Sequence, residues 1–264
     1  MISVEDADGV RLVTFRRPEA RNAFDTALYS AVATALEDAA VDERLAVVVL
    51  TGEGTAYSAG QDLAEMGRLG DPATRGEVTA EVTEHGFRRF IGAIEAFPKP
   101  IVAAVNGVAV GVGTTMLPYC DLVLVAEHAR FRLPFASLGV VPEAGSTFTL
   151  PVAMGAQPAA HAFFTAEWFD AQTALACGLA WRICPSDSLL DEALAVARAI
   201  ARMPVVSLVE TKRLLVATRL DAARAARARE EDVFSRLTGA PANREAIAAF
   251  LDKREPDFTN LPAG

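Results

Sequence analysis

With 264 residues, 52% of them hydrophobic, the chain has ample material for one large core or two small ones. Its formal net charge of −9 excludes the broad basic surface that nucleic acids require, so an anionic ligand would have to be met by single cations. Three cysteines, Cys120, Cys177 and Cys184, are odd in number and lack metal-ligand spacing, which argues against a disulfide framework and for a reducing, cytoplasmic setting. Met1 to Asp8 has no basic stretch leading into an apolar one, and no apolar run approaches bilayer length. The closing Leu261-Pro262-Ala263-Gly264 carries no sorting address, so neither secretion nor membrane insertion is expected.

Residues 10–15 alternate as a strand, and Asp25 then caps a helix whose apolar Leu28, Val32, Leu36 and Ala39 recur every three to four positions. Residues 46–51 are β-branched and almost uncharged, the pattern of a buried strand. The stretch 65–96 is polar and glycine-containing at first and helical later, through Phe87, Phe90, Ile91 and Ile94. It is the part expected to be most mobile, with closure over a ligand left open. Pro98 and Pro100 bracket the entry to a second buried strand, 101–105. A strand over 122–126 follows, and a helix over 171–177 ends at Gly178. From Asp187 onward three helical runs, 187–203, 205–219 and 221–238, break at Pro204 and near Asp221. The arginine-rich stretch 224–229 reads as a solvated helix face, because Glu230, Glu231 and Asp232 neutralise it at once.

Two glycine-bearing stretches stand out, Ser58-Ala59-Gly60-Gln61-Asp62-Leu63 and Asn106-Gly107-Val108-Ala109-Val110-Gly111-Val112-Gly113. Each follows a strand-like run and precedes a helix-like one. Glycine allows positive φ and close backbone approach, and an unpaired N–H at a helix start is a ready donor to developing negative charge. Together the pair forms a candidate oxyanion hole.

These stretches, with Lys99-Pro100-Ile101-Val102-Ala103-Ala104-Val105, Cys120-Asp121-Leu122, Pro134-Phe135-Ala136-Ser137-Leu138-Gly139 and Phe250-Leu251-Asp252-Lys253-Arg254, resemble the crotonase, or enoyl-CoA hydratase/isomerase, family in order and approximate spacing. The resemblance implies an α/β fold, a spiral of repeated ββα units over 1–186 and a C-terminal helical oligomerisation region over 187–264. It implies trimers or dimers of trimers. It also implies an acyl-CoA thioester substrate with CoA as the carrier group, no separate cofactor and no metal. The two amides that hold the thioester oxygen in the family fall on Gln61 and Val112. Adenine and pantetheine contacts fall on Arg21, Ala23 and the turn Ala59, Gly60, Gln61, Asp62 and Leu63, with Phe250 and Lys253 supplied by a neighbouring subunit. Asp62 itself reads as a structural residue of its turn.

Hydration of an enoyl thioester wants two carboxylates, and here the chain departs from the hydratase pattern. The first hydratase glutamate would fall on Thr115 and the second on Phe135. A different carboxylate, Glu143, lies just beyond, within Pro142-Glu143-Ala144-Gly145-Ser146, and this stretch resembles the peroxisomal-type Δ3,Δ2-enoyl-CoA isomerases, in which a glutamate at that position moves the proton. The implied activity is migration of a double bond from carbon 3 to carbon 2. The alternatives are hydration, as in fatty-acid β-oxidation, another acyl-CoA reaction of the family, or a non-catalytic CoA-binding scaffold. His85, His128 and His161 show no paired ligand spacing, and Ser58, Ser137 and Ser146 lack a nucleophile-elbow setting.

Overall fold

The computed structural model describes residues 1–70, 80–259 and 261. Residues 71–79, in the middle of the stretch expected to be most mobile, lie outside the described residues, as does the side chain of His85.

Two sheets run through the first two thirds of the chain. Strands β1 (Ile2–Ala7) and β2 (Val10–Phe15) form an antiparallel hairpin. Helix α1 (Thr26–Val41) then leads to β3 (Val47–Gly52), which pairs parallel with β2. The chain next crosses to the second sheet through β4 (Ala56–Ser58) and continues into α2 (Leu63–Gly70) and α3 (Ala80–Ala96). The same course repeats through β5 (Ile101–Val105), β6 (Val108–Val110) and α4 (Val112–Thr115), and again through β7 (Leu122–Ala126) and β8 (Arg130–Arg132) to α5 (Ser146–Met154) and α6 (Ala156–Thr165). Strand β9 (Phe169–Asp170), helix α7 (Ala171–Cys177) and strand β10 (Arg182–Cys184) close the sheets. The larger sheet has the order β1-β2-β3-β5-β7-β10 and the smaller β4-β6-β8-β9. From β3 to β8 successive strands therefore alternate between two sheets that are parallel apart from an antiparallel pair at one edge of each, which is the spiral of ββα units.

The central strands explain themselves. β3 and β5 are buried along their whole length, so both faces must be apolar, and Leu50 sits opposite Ala103 in the parallel register. Between the sheet and α1 lies an aromatic cluster in which Phe24 meets Phe15 at 5.1 Å, Tyr29 at 4.9 Å and Phe90 at 5.4 Å between ring centres. Four helices follow: α8 (Leu189–Ala201), α9 (Val205–Ala217), α10 (Leu220–Leu237) and α11 (Pro241–Leu251). α8 packs on the large sheet, α10 on α5, and α11 on α2 and on the 3-10 turn Ala136–Leu138. Asn243 of α11 fixes the last contact by donating to Leu138 O at 2.8 Å.

One expectation needs revision. The arginine stretch of α10 is not a plain solvated face, because Arg224 and Arg227 turn to the buried Glu95 of α3, and Glu230 is itself buried at 4% exposure.

Candidate active site

The two glycine turns leave the small sheet side by side, at the ends of β4 and β6. Gly60 has φ of 90°, and a Cβ there would lie 2.8 Å from Val110 O and 3.7 Å from the Gly111 Cα. A side chain at position 60 would thus force the turns apart. The first turn is held from below: Ala59 N–H donates to Arg21 O (2.9 Å), Phe24 N–H to Gly60 O (2.7 Å) and Asp62 N–H to Phe24 O (2.9 Å). This alternating bridge skips Gln61, whose N–H has no acceptor among the described residues. In the second turn Gly111 N–H donates to Arg132 O at 3.0 Å. Val112 opens α4, and its N–H likewise has no acceptor among the described residues. Two free amides therefore issue from two abutting turns, the arrangement an oxyanion hole requires.

Asp62 does what its sequence position predicts. Its Oδ1 accepts from Ala64 and Glu65 N–H at 3.0 and 3.2 Å, capping α2, and its Oδ2 meets Arg17 at 3.1 Å. Arg21 O accepts from Ala59 N–H, and Ala23 directly precedes Phe24, whose backbone bonds to Gly60 and Asp62; Arg21 is exposed and forms no ion pair among the described residues. Phe250 and Lys253 stand at the exposed end of α11 and make no hydrogen bond to that turn. Ser58 and Ser137 spend their hydroxyls on Asn22 O and Pro134 O. Among the described residues no group of three or more His, Cys, Asp and Glu side chains is placed to hold a metal ion.

Three residues that sequence reasoning passed over complete the surroundings. Tyr29 OH donates to Gln61 Oε1 at 2.9 Å, and Gln61 Nε2 donates to Glu65 Oε2 at 3.3 Å. Glu65 is buried, and its oxygens also accept from Thr26 N–H and Oγ1. The Gln61 side chain is thereby fixed beside its own free amide. Tyr29 reads in the sequence as one more apolar position of α1, and Glu65 as an ordinary first-turn acid. Nothing in either residue alone announces the contact.

Glu143 lies in the loop between the Ala136–Leu138 turn and α5. Part of its surface reaches solvent, yet dense protein around its carboxyl pushes the pKa up to about 8, desolvation acting first and the negative charge of Glu230 second. It also raises the pKa of Tyr29, after the larger effect of that phenol's burial, so the two side chains are close enough to feel one another. Thr115 and Phe135, at the positions of the two hydratase glutamates, are both buried.

The strands thus alternate between two sheets, two abutting turns present free amides, and burial raises the Glu143 pKa to about 8. A model of the enoyl-CoA hydratase/isomerase family matches residues 5–261. The 2,3-dehydroadipyl-CoA hydratase of Escherichia coli K12 is 37% identical over 249 residues, covering 94% of both chains. Enoyl-CoA delta isomerase 2 of Rattus norvegicus is 33% identical over 218 residues, 81% of this chain and 54% of that protein. The crystal structure of an enoyl-CoA hydratase/isomerase from Pseudoalteromonas atlantica superposes with a TM-score of 0.89 at 35% identity, covering 98% of this chain and 99% of that one. The chain belongs to the enoyl-CoA hydratase/isomerase, or crotonase, family of acyl-CoA enzymes.

Proposed function

We propose that the protein is an enoyl-CoA isomerase that moves a double bond from carbon 3 to carbon 2 of an acyl-CoA, with Glu143 as the single acid–base group. One observation supports this reading: Glu143 has a carboxyl whose pKa, raised to about 8, suits it both to take and to return a proton near neutral pH. The acids at the first turn are otherwise engaged, Asp62 by the α2 amides and Arg17, and Glu65 by Thr26 and Gln61, and are not available for a second role. Thr115 and Phe135 supply no carboxylate where a hydratase would have two.

In this mechanism the ionised Glu143 removes a proton from carbon 2. The electron pair moves into a dienolate whose oxygen accepts from the Gln61 and Val112 amides, and Glu143 then delivers the proton to carbon 4. The amides stabilise charge that exists only along the reaction path, and removing one such donor typically costs about 3–4 kcal/mol. CoA serves as handle, with Arg21 and Lys253 as single cations toward its phosphates and no separate cofactor. Assembly as a trimer or dimer of trimers in the cytoplasm belongs to the same reading; apolar Val206, Leu214 and Leu215 exposed on α9 support an assembled state.

A hydratase is the second reading, favoured by the name of the 37% identical bacterial relative. The test is a paired assay of wild-type and Glu143→Gln protein. Fast conversion of a 3-enoyl-CoA to its 2-enoyl isomer, lost in the variant with little hydration in either, is the expected result. Robust hydration of a 2-enoyl-CoA by the wild type, or isomerisation untouched by the substitution, would overturn it, and silence in both assays with CoA still bound would point to another acyl-CoA substrate or a scaffold.

A further inference from the structure

Between Glu143 and α5 the backbone passes through two consecutive left-handed residues, Ala144 at φ 63° and Gly145 at φ 70°. A non-glycine residue in that region is strained and persists only where its surroundings over-determine it. α5 also begins without a local cap, since Gly145 has no side chain to offer its first amides. The restraints come from elsewhere in the chain. Tyr119 OH donates to Ala144 O at 2.6 Å. Glu230 of α10 accepts from Gly145 N–H through Oε2 (2.6 Å), and through Oε1 from Thr147 N–H (2.7 Å) and Thr147 Oγ1 (2.5 Å). α10 closes over the loop so tightly that a Cβ on Gly145 would lie 2.8 Å from Ala223 O.

We propose that Glu230 is a positioning residue for Glu143: its two oxygens clamp one amide within the left-handed step and one just beyond it, and so fix the loop from which the catalytic carboxyl projects. The inference rests on Glu143 being the acid–base group. A mere helix cap would be served by an uncharged side chain on the surface. Here a buried carboxylate is used, and it stands near the very group whose proton affinity matters. Ionised Glu230 disfavours ionised Glu143, and burial raises the pKa of Glu230 as well.

Of the charged and titratable groups around this pair, Tyr29 of α1 feels Glu143, then Glu65 of α2 and Asp25, while Tyr119 from the turn before β7 feels Glu95 of α3, Arg227, Glu230 and Arg219, and Arg229 of α10 acts on Glu230. Of the helices packed on α5, α6 brings His161, turned to Glu167 at 3.7 Å, and α7 only Cys177.

The experiment is isomerase turnover of the full chain against pH for wild type, Glu143→Gln, Glu230→Gln and Glu230→Asp. Glutamine keeps the size but turns an NH2 toward one amide and removes the charge. Its kcat should fall roughly 10- to 100-fold with KM nearly unchanged, as a displaced catalytic group predicts. The acidic limb of kcat/KM should move below the wild-type position near pH 8. Glu230→Asp keeps the charge on a stem too short to reach both amides; kcat should fall while the limb stays, and this variant decides the matter if the glutamine variant does not fold. Wild-type kcat and an unmoved limb in a folded Glu230 variant, with only the melting temperature lowered, would reduce Glu230 to a helix cap and overturn the proposal. Activity surviving in Glu143→Gln would instead overturn the reading on which it rests.

Discussion

Glu143 binds its proton more tightly in the folded protein than an ordinary carboxyl does, and that preference has a cost that can be measured without any substrate. Its pKa is raised from 4.5 to about 8 by burial first and by Glu230 second. A raised carboxyl pKa means that the unfolded chain ionises first. Stability contributed by this group is therefore full below about pH 4.5 and is lost progressively as pH rises toward 8. Glu143→Gln removes the slope. The variant should melt higher than wild type at pH 8.5, by an amount on the order of 2 kcal/mol, and match it near pH 4.5; thermal melts at the two pH values check this. A constant difference at both would mean that Glu143 is not held as a buried acid. Glu143 was visible in the sequence because its motif resembles that of the one-carboxylate isomerases. Its partner Glu230 was not, since an acid following an arginine run on a helix has the pattern of a solvated face until the fold turns it inward.

At the scale of elements, the proposed oxyanion hole depends on two turns being close, and closeness is a property of β4 and β6. These strands have three residues each, too short for a periodicity to register, which is why β2, β3, β5 and β7 of the large sheet were legible and the second sheet was not. The glycines were legible, because a turn that approaches another backbone cannot carry a Cβ. Gly60→Ala tests this directly. With φ at 90° and Val110 O at 2.8 Å from the new Cβ, the turn must shift and carry the Gln61 amide with it. The expected outcome is a loss of stability of about 1–3 kcal/mol together with a drop in kcat of roughly 100-fold or more. Turnover at the wild-type rate with an unchanged melt would show that the two turns do not depend on their contact. Helix ends were the other easy reading: Asp25 caps α1 by accepting from Leu28 N–H at 2.8 Å, and Gly178 ends α7 in the left-handed conformation. Helices α5, α6 and α11 escaped, the first two because internal prolines and alanine-rich faces blur the apolar stripe.

Across the whole molecule, two lysines explain why motifs at Lys99 and Asp121 recur together in the sequence reading. Lys99 Nζ donates to Ala39 O and Asp42 O at 2.8 and 2.7 Å, fastening the end of α1 to the entry of β5. Lys212 Nζ, buried under α9, donates to Lys99 O and to Asp121 Oδ2, both at 2.8 Å, and that same Oδ2 accepts from Ile101 N–H at 2.8 Å. A single chain of bonds thus runs from α1 through the start of β5 and β7 to the C-terminal helices. Breaking it at Lys212 leaves Asp121 without its cation, and removing one member of a buried pair costs about 3–5 kcal/mol in a fully buried setting. Asp121 retains some exposure, at 22% of its side chain, so the loss in Lys212→Met should be smaller, about 2–3 kcal/mol. Because α8 also packs on the large sheet and α10 on α5, the variant should still unfold in one transition, lowered as a whole. Calorimetry or denaturant melts followed by two probes check this. Two separated transitions in the variant would mean that the helices beyond residue 187 are held to the spiral by this bond chain rather than by the apolar packing of α8 and α10.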